Sequence, residues 1–100
     1  MIPVDKVREI ISKHKILEKE LSSDKVDKKK FAKISKEYSD LNEILNDAKQ
    51  FLSFDKTERE LIKLIDDSET DQEMKELAKA ELDELNKKIK INEKKLKLFL

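Results

Sequence analysis

Few side chains of this sequence could do chemistry, and His14 is the first to consider. It is the one histidine in the chain, and histidine serves as a metal ligand or general base near neutral pH. Its neighbours at helical spacing include Ile10, Ile11 and Leu17, which favours a histidine packed at the boundary of an apolar helix face. No cysteine is present to complete a zinc site or to supply a thiolate. We therefore predict a structural histidine.

Carboxylates form the second candidate, in the stretch DDSETD at residues 66–71. An EF-hand calcium loop needs a glycine and regular ligand spacing, and the sequence contains no glycine. The same absence excludes a glycine-rich phosphate loop. No Ser/His/Asp arrangement has support beyond composition. We expect no catalytic residue, no cofactor and no metal site, so the chain by itself is not predicted to be an enzyme.

Charge is distributed unevenly along the sequence. Residues 55–85 carry 5 basic and 12 acidic side chains, whereas residues 86–100 carry 6 basic side chains and 1 acidic. The basic ones are Lys87, Lys88, Lys90, Lys94, Lys95 and Lys97. Acid at the start of a helix and lysine at its end complement the helix dipole, which is sufficient reason for the pattern. Contact with RNA or an acidic membrane is the alternative, but no aromatic residue is interleaved for base stacking.

The elements that must position these side chains are helices. With 46% charged residues, no glycine and one proline, the chain lacks the residues that tight β-turns need. The charges sum to zero and the apolar residues stay periodic, which argues against disorder. We predict an all-α fold, a coiled-coil-like three-helix antiparallel bundle or long helical hairpin with helices at about 3–21, 26–66 and 71–100.

Apolar spacing defines each predicted helix. The central helix carries an a/d seam of the coiled-coil type at Phe31, Ile34, Tyr38, Leu41, Leu45, Ala48 and Leu52. The third helix carries a matching seam at Met74, Ala78, Leu82, Leu85, Ile89, Asn92, Leu96 and Phe99. The first helix follows Pro3 and places one face at Val4, Val7, Ile10, Ile11, His14, Leu17 and Leu21. We expect Tyr38 in the core with its hydroxyl at the rim, and Asn92 to fix the register or the choice of partner at some cost in stability.

Short polar residues predict where the helices begin and end. Asp24 or Asp27 is expected to cap the second helix. A capping box at Thr70–Glu73 is expected to start the third. Asp55–Glu58 has capping-box spacing too, which leaves open a break near Ser53, although we favour one continuous helix to about residue 66.

Targeting signals are not evident. The longest apolar runs are two or three residues, too short to span a bilayer, and the N-terminus MIPVDKVREII lacks the features of a signal peptide. The absence of cysteine fits a reducing compartment. We expect a cytoplasmic protein without a membrane partner.

Two segments resemble a known family. Residues 31–41, FAKISKEYSDL, resemble the F-x-x-[LI]-S-[RK]-E-Y-x-x-L stretch in the N-terminal domain of the bacterial peptide chain release factor 1 family. Residues 71–82, DQEMKELAKAEL, are similar to its D-P-E-M-x-x-[ML]-A-x-x-E-L segment, at nearly the expected distance. Gln72 stands where the family usually has proline, and the preceding connection is a few residues longer. The apolar stretch 96–100 resembles the end that precedes the rest of the factor.

The resemblance implies that residues 1–100 are a single N-terminal helical domain of a longer chain, truncated after Leu100. The family's Gly-Gly-Gln tripeptide and its codon-reading Pro-x-Thr motif would then lie beyond residue 100. In the family this domain projects toward the stalk base of the large ribosomal subunit, near ribosomal protein L11 and its rRNA. It also influences the class II release factor GTPase, and a glutamine methyltransferase modifies the intact factor.

Three functional hypotheses follow. The resemblance implies an accessory ribosome-binding domain of a translation termination factor that directs peptidyl-tRNA hydrolysis at UAA and UAG codons. The regular seams alone favour a free-standing helical adaptor that dimerises as a coiled coil. The lysine-rich third helix suggests, more distantly, an RNA-binding module.

Overall fold

The computed structural model describes residues 2–23 and 26–100, which form three helices. α1 spans Val4–Leu21, α2 spans Lys28–Asp66 and α3 spans Gln72–Phe99. No strand occurs in these two ranges, so the all-α prediction is confirmed. Each helix begins and ends within two residues of its predicted bounds, because the apolar periodicity and the polar ends both point to the same positions.

α2 is the axis of the molecule, and the two other helices pack along it. His14 of α1 bonds Asn42, and Asn92 of α3 bonds the backbone of Asp47, so both partners meet the middle of α2. Leu61 of α2 clusters with Ala78, near the start of α3, which makes α2 and α3 antiparallel. The molecule measures 62 × 23 × 17 Å. Its length is that of α2, since 39 residues at about 1.5 Å each span roughly 58 Å.

α2 is continuous through the position where a break was left open. Thr57 Oγ1 donates to the Ser53 carbonyl at 3.0 Å, a bond that a regular helix permits between residues four apart. Asp55 does not act as a cap and instead pairs with Arg59 one turn later, at 3.3 Å. The favoured prediction of one long helix is confirmed.

The start of α3 differs from the prediction. Asp71, not Thr70, is the N-cap, and its Oδ1 accepts from the Met74 amide at 2.8 Å. The Thr70 amide already donates to the Asp67 carbonyl at 3.2 Å, so it has no need of the Glu73 carboxylate that a capping box would supply. The predicted Thr70–Glu73 box is therefore wrong by one residue. At α2 the cap is Asp27, and the alternative Asp24 lies outside the described residues.

The apolar face of α2 is broader than the predicted seam. Its buried residues are Leu41, Ile44, Ala48, Phe51 and Leu61. Ile44 and Phe51 stand outside the predicted line and widen it on one side, because two helices, not one, pack against α2. Phe31, placed in the seam by its spacing, is 49% exposed, so that assignment is wrong.

α1 and α3 follow their predicted faces more closely. α1 buries Val7, Ile10, His14 and Leu17. α3 buries Ala78, Leu85, Asn92 and Leu96, while Met74 and Phe99 at the two ends of its seam are exposed. Ile2 precedes α1 and is also buried. None of the helices described is both long and apolar enough to cross a membrane.

Candidate functional site

His14 is used to join two helices. Its ring stacks on Tyr38 with centroids 4.7 Å apart and an angle of 26° between the planes. Nε2 donates to Asn42 Oδ1 at 3.1 Å, and Nδ1 lies 3.8 Å from a Glu18 carboxylate oxygen. The side chain is buried, and both ring nitrogens face groups of this chain. The arrangement packs α1 on α2 and offers no open coordination or reaction site, in line with the interpretation of His14 as a packed residue.

Asn92 couples α3 to α2. Its Nδ2 donates to the Asp47 carbonyl at 2.8 Å while the side chain is 3% exposed, and Oδ1 has no hydrogen-bond partner among the described residues. One turn later Lys95 Nζ lies 4.0 Å from the Asp47 carboxylate. Two successive turns of α3 thus hold one residue of α2. A sliding of α3 along α2 would break both contacts, which supports the prediction that Asn92 fixes the register.

Replacing Asn92 by alanine is expected to lower the free energy of unfolding by about 1 kcal/mol, because one buried hydrogen bond is lost. Asn86→Ala on the same helix is the matched control, since Asn86 is exposed and reports only the gain in helix propensity. Urea unfolding followed by circular dichroism measures both. If both variants raised the free energy of unfolding by the same amount, the hydrogen bond from Asn92 to Asp47 would contribute no stability.

The acidic stretch 66–71 caps and closes a loop. Asp67 Oδ1 accepts from the Glu69 amide at 2.9 Å, and Asp71 caps α3. Within residues 2–23 and 26–100, no group of three or more potential ligands is placed to hold a metal ion. Nothing in the described geometry assembles a nucleophile, a base and an oxyanion site. Five of the six residues of the acidic stretch are exposed at the surface.

That surface is divided by charge. The hairpin end, residues 55–85, has 12 acidic and 5 basic side chains, and we call it the acidic tip. Several large apolar side chains of the acidic tip are exposed: Ile62, Leu64, Met74 and Leu77. The opposite end of the molecule is the start of α2, which carries a second run of lysines. The last two turns of α3 carry Lys94, Lys95 and Lys97 and lie beside the middle of α2, where Lys95 is 4.0 Å from Asp47.

Sequence reasoning missed this second basic run. Residues 28–36 read KKKFAKISK, and we call them the basic segment. The signal was present in the sequence: three lysines occupy the first turn of a helix, where the dipole favours acidic side chains.

An apolar groove of about 400 Å³ lies near the middle of the molecule. It lies where the start of α1 meets α2 and α3, between Ile2, Phe51, Phe54 and Ile89. Asp55 and Arg59 stand at its rim and pair with each other. Glu58 and Glu93 also line the groove, and neither makes an ion pair within residues 2–23 and 26–100.

Comparison with known proteins identifies a matching family and several similar proteins. The PCRF domain matches residues 10–100. Peptide chain release factor 1 of Pelagibacter ubique is 53% identical over all 100 residues, and the match covers 28% of that protein. The release factor 1 proteins of Chloroherpeton thalassium and Lachnoclostridium phytofermentans are 35% and 33% identical over 98 residues each, or 96% of this chain and 27% of theirs.

No solved structure was found to match the chain. The chain spans little more than a quarter of the length of the curated relatives it matches. The PCRF match covers the two segments that had suggested the resemblance, residues 31–41 and 71–82, and it extends through most of α1. The chain therefore belongs to the peptide chain release factor 1 family, through its PCRF domain.

Proposed function

We propose that the chain is the accessory, ribosome-binding domain of a translation termination factor whose complete form directs peptidyl-tRNA hydrolysis at UAA and UAG codons. The observation that carries the proposal is the PCRF match together with 53% identity, over every residue of the chain, to a peptide chain release factor 1. On this proposal, residues 1–100 are one N-terminal domain. The Gly-Gly-Gln and codon-reading parts belong to the rest of the factor.

The geometry suits a domain that supplies reach without chemistry. α2 forms an uninterrupted rod, and its two partners are fixed to it by apolar clusters and by the His14 and Asn92 contacts. A rigid rod of this length can contact a partner far from the body that carries it. We propose the stalk base of the large ribosomal subunit, with ribosomal protein L11 and its rRNA, as that partner in the cytoplasm.

Two further partners belong to the same proposal. The class II release factor GTPase would respond to this domain, and a glutamine methyltransferase would modify the complete factor at a residue outside this chain. No membrane partner is proposed.

The regular spacing of the seams, which motivated the adaptor hypothesis, has another explanation in this fold. The seams of α2 and α3 face one another within a single chain, where Ala78 and Leu85 cluster with Leu61 and Leu96 with Leu41. An intramolecular hairpin therefore uses the regular spacing that would otherwise indicate a dimer. A monomer in light scattering at moderate concentration is the corresponding expectation, and a concentration-independent dimer would favour the adaptor.

The proposed function predicts that the purified chain binds large ribosomal subunits. We expect saturable co-sedimentation with large subunits, weaker binding when ribosomal protein L11 is removed, and a changed rate of peptide release when the chain competes with a complete release factor 1. Small subunits are the control particle and should not retain the chain. Absence of binding to large subunits, with no effect on release, would contradict the proposal.

A further inference from the structure

The basic segment, residues 28–36, carries five lysines and no carboxylate. All five lysine side chains are exposed. The ion-pair contacts of the described residues involve other basic residues, namely Lys13, His14, Arg59, Lys87 and Lys95. Within residues 2–23 and 26–100, then, no carboxylate lies within 4.0 Å of a lysine of the basic segment.

The fold does not explain why lysines stand there. The N-terminal end of a helix carries partial positive charge, so lysines in its first turn reduce stability. α2 has no acidic residue in its first turn, and the bond from the Lys29 amide to its cap, Asp27, is long at 3.5 Å. Six of the eight lysines of α3, by contrast, lie in its C-terminal half, nearer the end where the dipole favours them. The helix dipole therefore accounts for the lysines at the end of α3 but not for those of the basic segment, which we expect to contact an anion outside this chain.

Phe31 supplies a second and independent observation. This aromatic side chain is 49% exposed and follows Lys28 by three residues, so the two share one face of α2. An exposed aromatic ring among lysines is the combination that single-stranded nucleic acid uses, with phosphates on the cations and an unstacked base on the ring. A membrane would need a continuous apolar face, but Ile34, the next apolar side chain after Ala32, packs into the core.

We infer that the basic segment binds single-stranded RNA, its lysines contacting phosphates while Phe31 stacks on an exposed base. The inference rests on the proposed function only for the source of the RNA, which would be an unpaired loop of ribosomal RNA. The overall net charge of zero does not oppose it, because the acidic side chains are concentrated in the acidic tip at the other end of the molecule.

The electrostatic part is tested by fluorescence anisotropy with a short labelled single-stranded RNA and no ribosome. The variant Lys28→Glu, Lys29→Glu, Lys30→Glu should bind about 100-fold more weakly at roughly 0.1 M salt, and the slope of log K against log salt should become shallower by about 2. Its stability should not fall, since glutamate suits the first turn of a helix. Weaker binding therefore could not be attributed to unfolding.

A triple variant with the same net charge is the control. Lys49, Lys56 and Lys79 are all exposed and lie outside the basic segment, so changing each to glutamate should leave RNA binding nearly unchanged. Equal losses in the two triple variants would overturn the inference, because net charge alone would then account for binding.

The stacking part is tested with Phe31→Leu, which keeps an apolar side chain and removes the ring. We expect about tenfold weaker binding with an unchanged salt slope. Phe99→Leu, at the partly exposed end of α3, should have no effect. Three results would overturn the inference: an unaffected Phe31→Leu variant, equal affinity for duplex RNA, or equal affinity for vesicles of anionic phospholipid.

The two proposals can fail separately. A chain that binds the RNA through residues 28–36 but is not retained by large subunits keeps this inference and removes the proposed ribosomal role. If the chain binds large subunits equally well with and without the three glutamates, and does not bind the RNA, the proposed ribosomal role stands and the RNA-binding inference is overturned.

Discussion

Replacing Lys56 by proline is expected to lower the free energy of unfolding by about 3 kcal/mol or more. Lys56 lies in the interior of α2, where proline removes one backbone hydrogen bond and its ring clashes with the carbonyl of the residue four positions earlier. The lysine side chain itself is exposed and makes no ion pair within the described residues, so little else is lost. For a domain stabilised by about 5 to 15 kcal/mol, this is a large fraction.

The same substitution distinguishes the two sequence-level alternatives for this region. If the helix broke near Ser53 and restarted with Asp55 as its cap, residue 56 would be the first position of a new helix. Proline is well tolerated there, because the missing amide has no intrahelical partner. A loss of stability below about 0.5 kcal/mol would therefore contradict the continuous helix.

Gln72→Pro is the matched control, since it places proline at a true first position. Asp71, the cap of α3, has φ −68° and ψ 161°, the extended conformation that a residue before proline prefers. We expect stability to be unchanged or higher by about 0.4 to 1 kcal/mol, because proline restricts the unfolded chain. Urea unfolding followed by circular dichroism measures both variants under the same conditions. The control also introduces the residue that the family usually has at this position.

Helix ends were predictable where a single short-range interaction decides them. The periodic apolar residues located all three helices, and Asp27 is one of the two residues predicted to cap the second helix from their type and position. The predicted cap of α3 was Thr70, but the Thr70 amide instead bonds the Asp67 carbonyl inside a loop, and Asp71 is the cap. Loop geometry of this kind is not encoded in the spacing of apolar residues, and so the predicted capping box was displaced by one residue.

Burial on α2 could be predicted only in part, because it depends on how many neighbours a helix has. One seam of alternating spacing accounts for Leu41 and Ala48, which are buried. Ile44 and Phe51 are buried as well, since α1 and α3 together cover a wider arc than a single partner would. The sequence of α2 alone does not reveal the number of helices that pack on it.

The candidate site was the least predictable part. Spacing placed Phe31 in the core, and only the structure shows that the ring is half exposed, because no neighbouring helix covers it fully. Once Phe31 is at the surface, residues 28–36 become a run of lysines around an aromatic ring. The family, in contrast, was recognisable from two short helical segments, whose order and separation are more specific than either segment alone.

Leu96→Ala tests how α3 is held to the rest of the molecule. Leu96 is 0% exposed and belongs to the cluster that contains Ile44 and Leu17, so it is the residue of α3 that joins the core shared with α1. Removing its buried methyl groups loses transfer free energy and leaves a cavity, and we expect a loss of about 3 kcal/mol in the free energy of unfolding. The dependence of this free energy on urea concentration should keep its slope, since the helices themselves remain formed.

Leu98→Ala separates packing from helix propensity. Leu98 lies two residues further along the same helix and is 85% exposed, so the same chemical change there should alter stability by less than about 0.5 kcal/mol. A much larger loss in the free energy of unfolding for Leu96→Ala than for Leu98→Ala would show that one face of the end of α3 packs on α2. If Leu96→Ala were as mild as Leu98→Ala, the end of α3 would not be packed as described. The contacts of Lys95 with Asp47 would then lose their support as well.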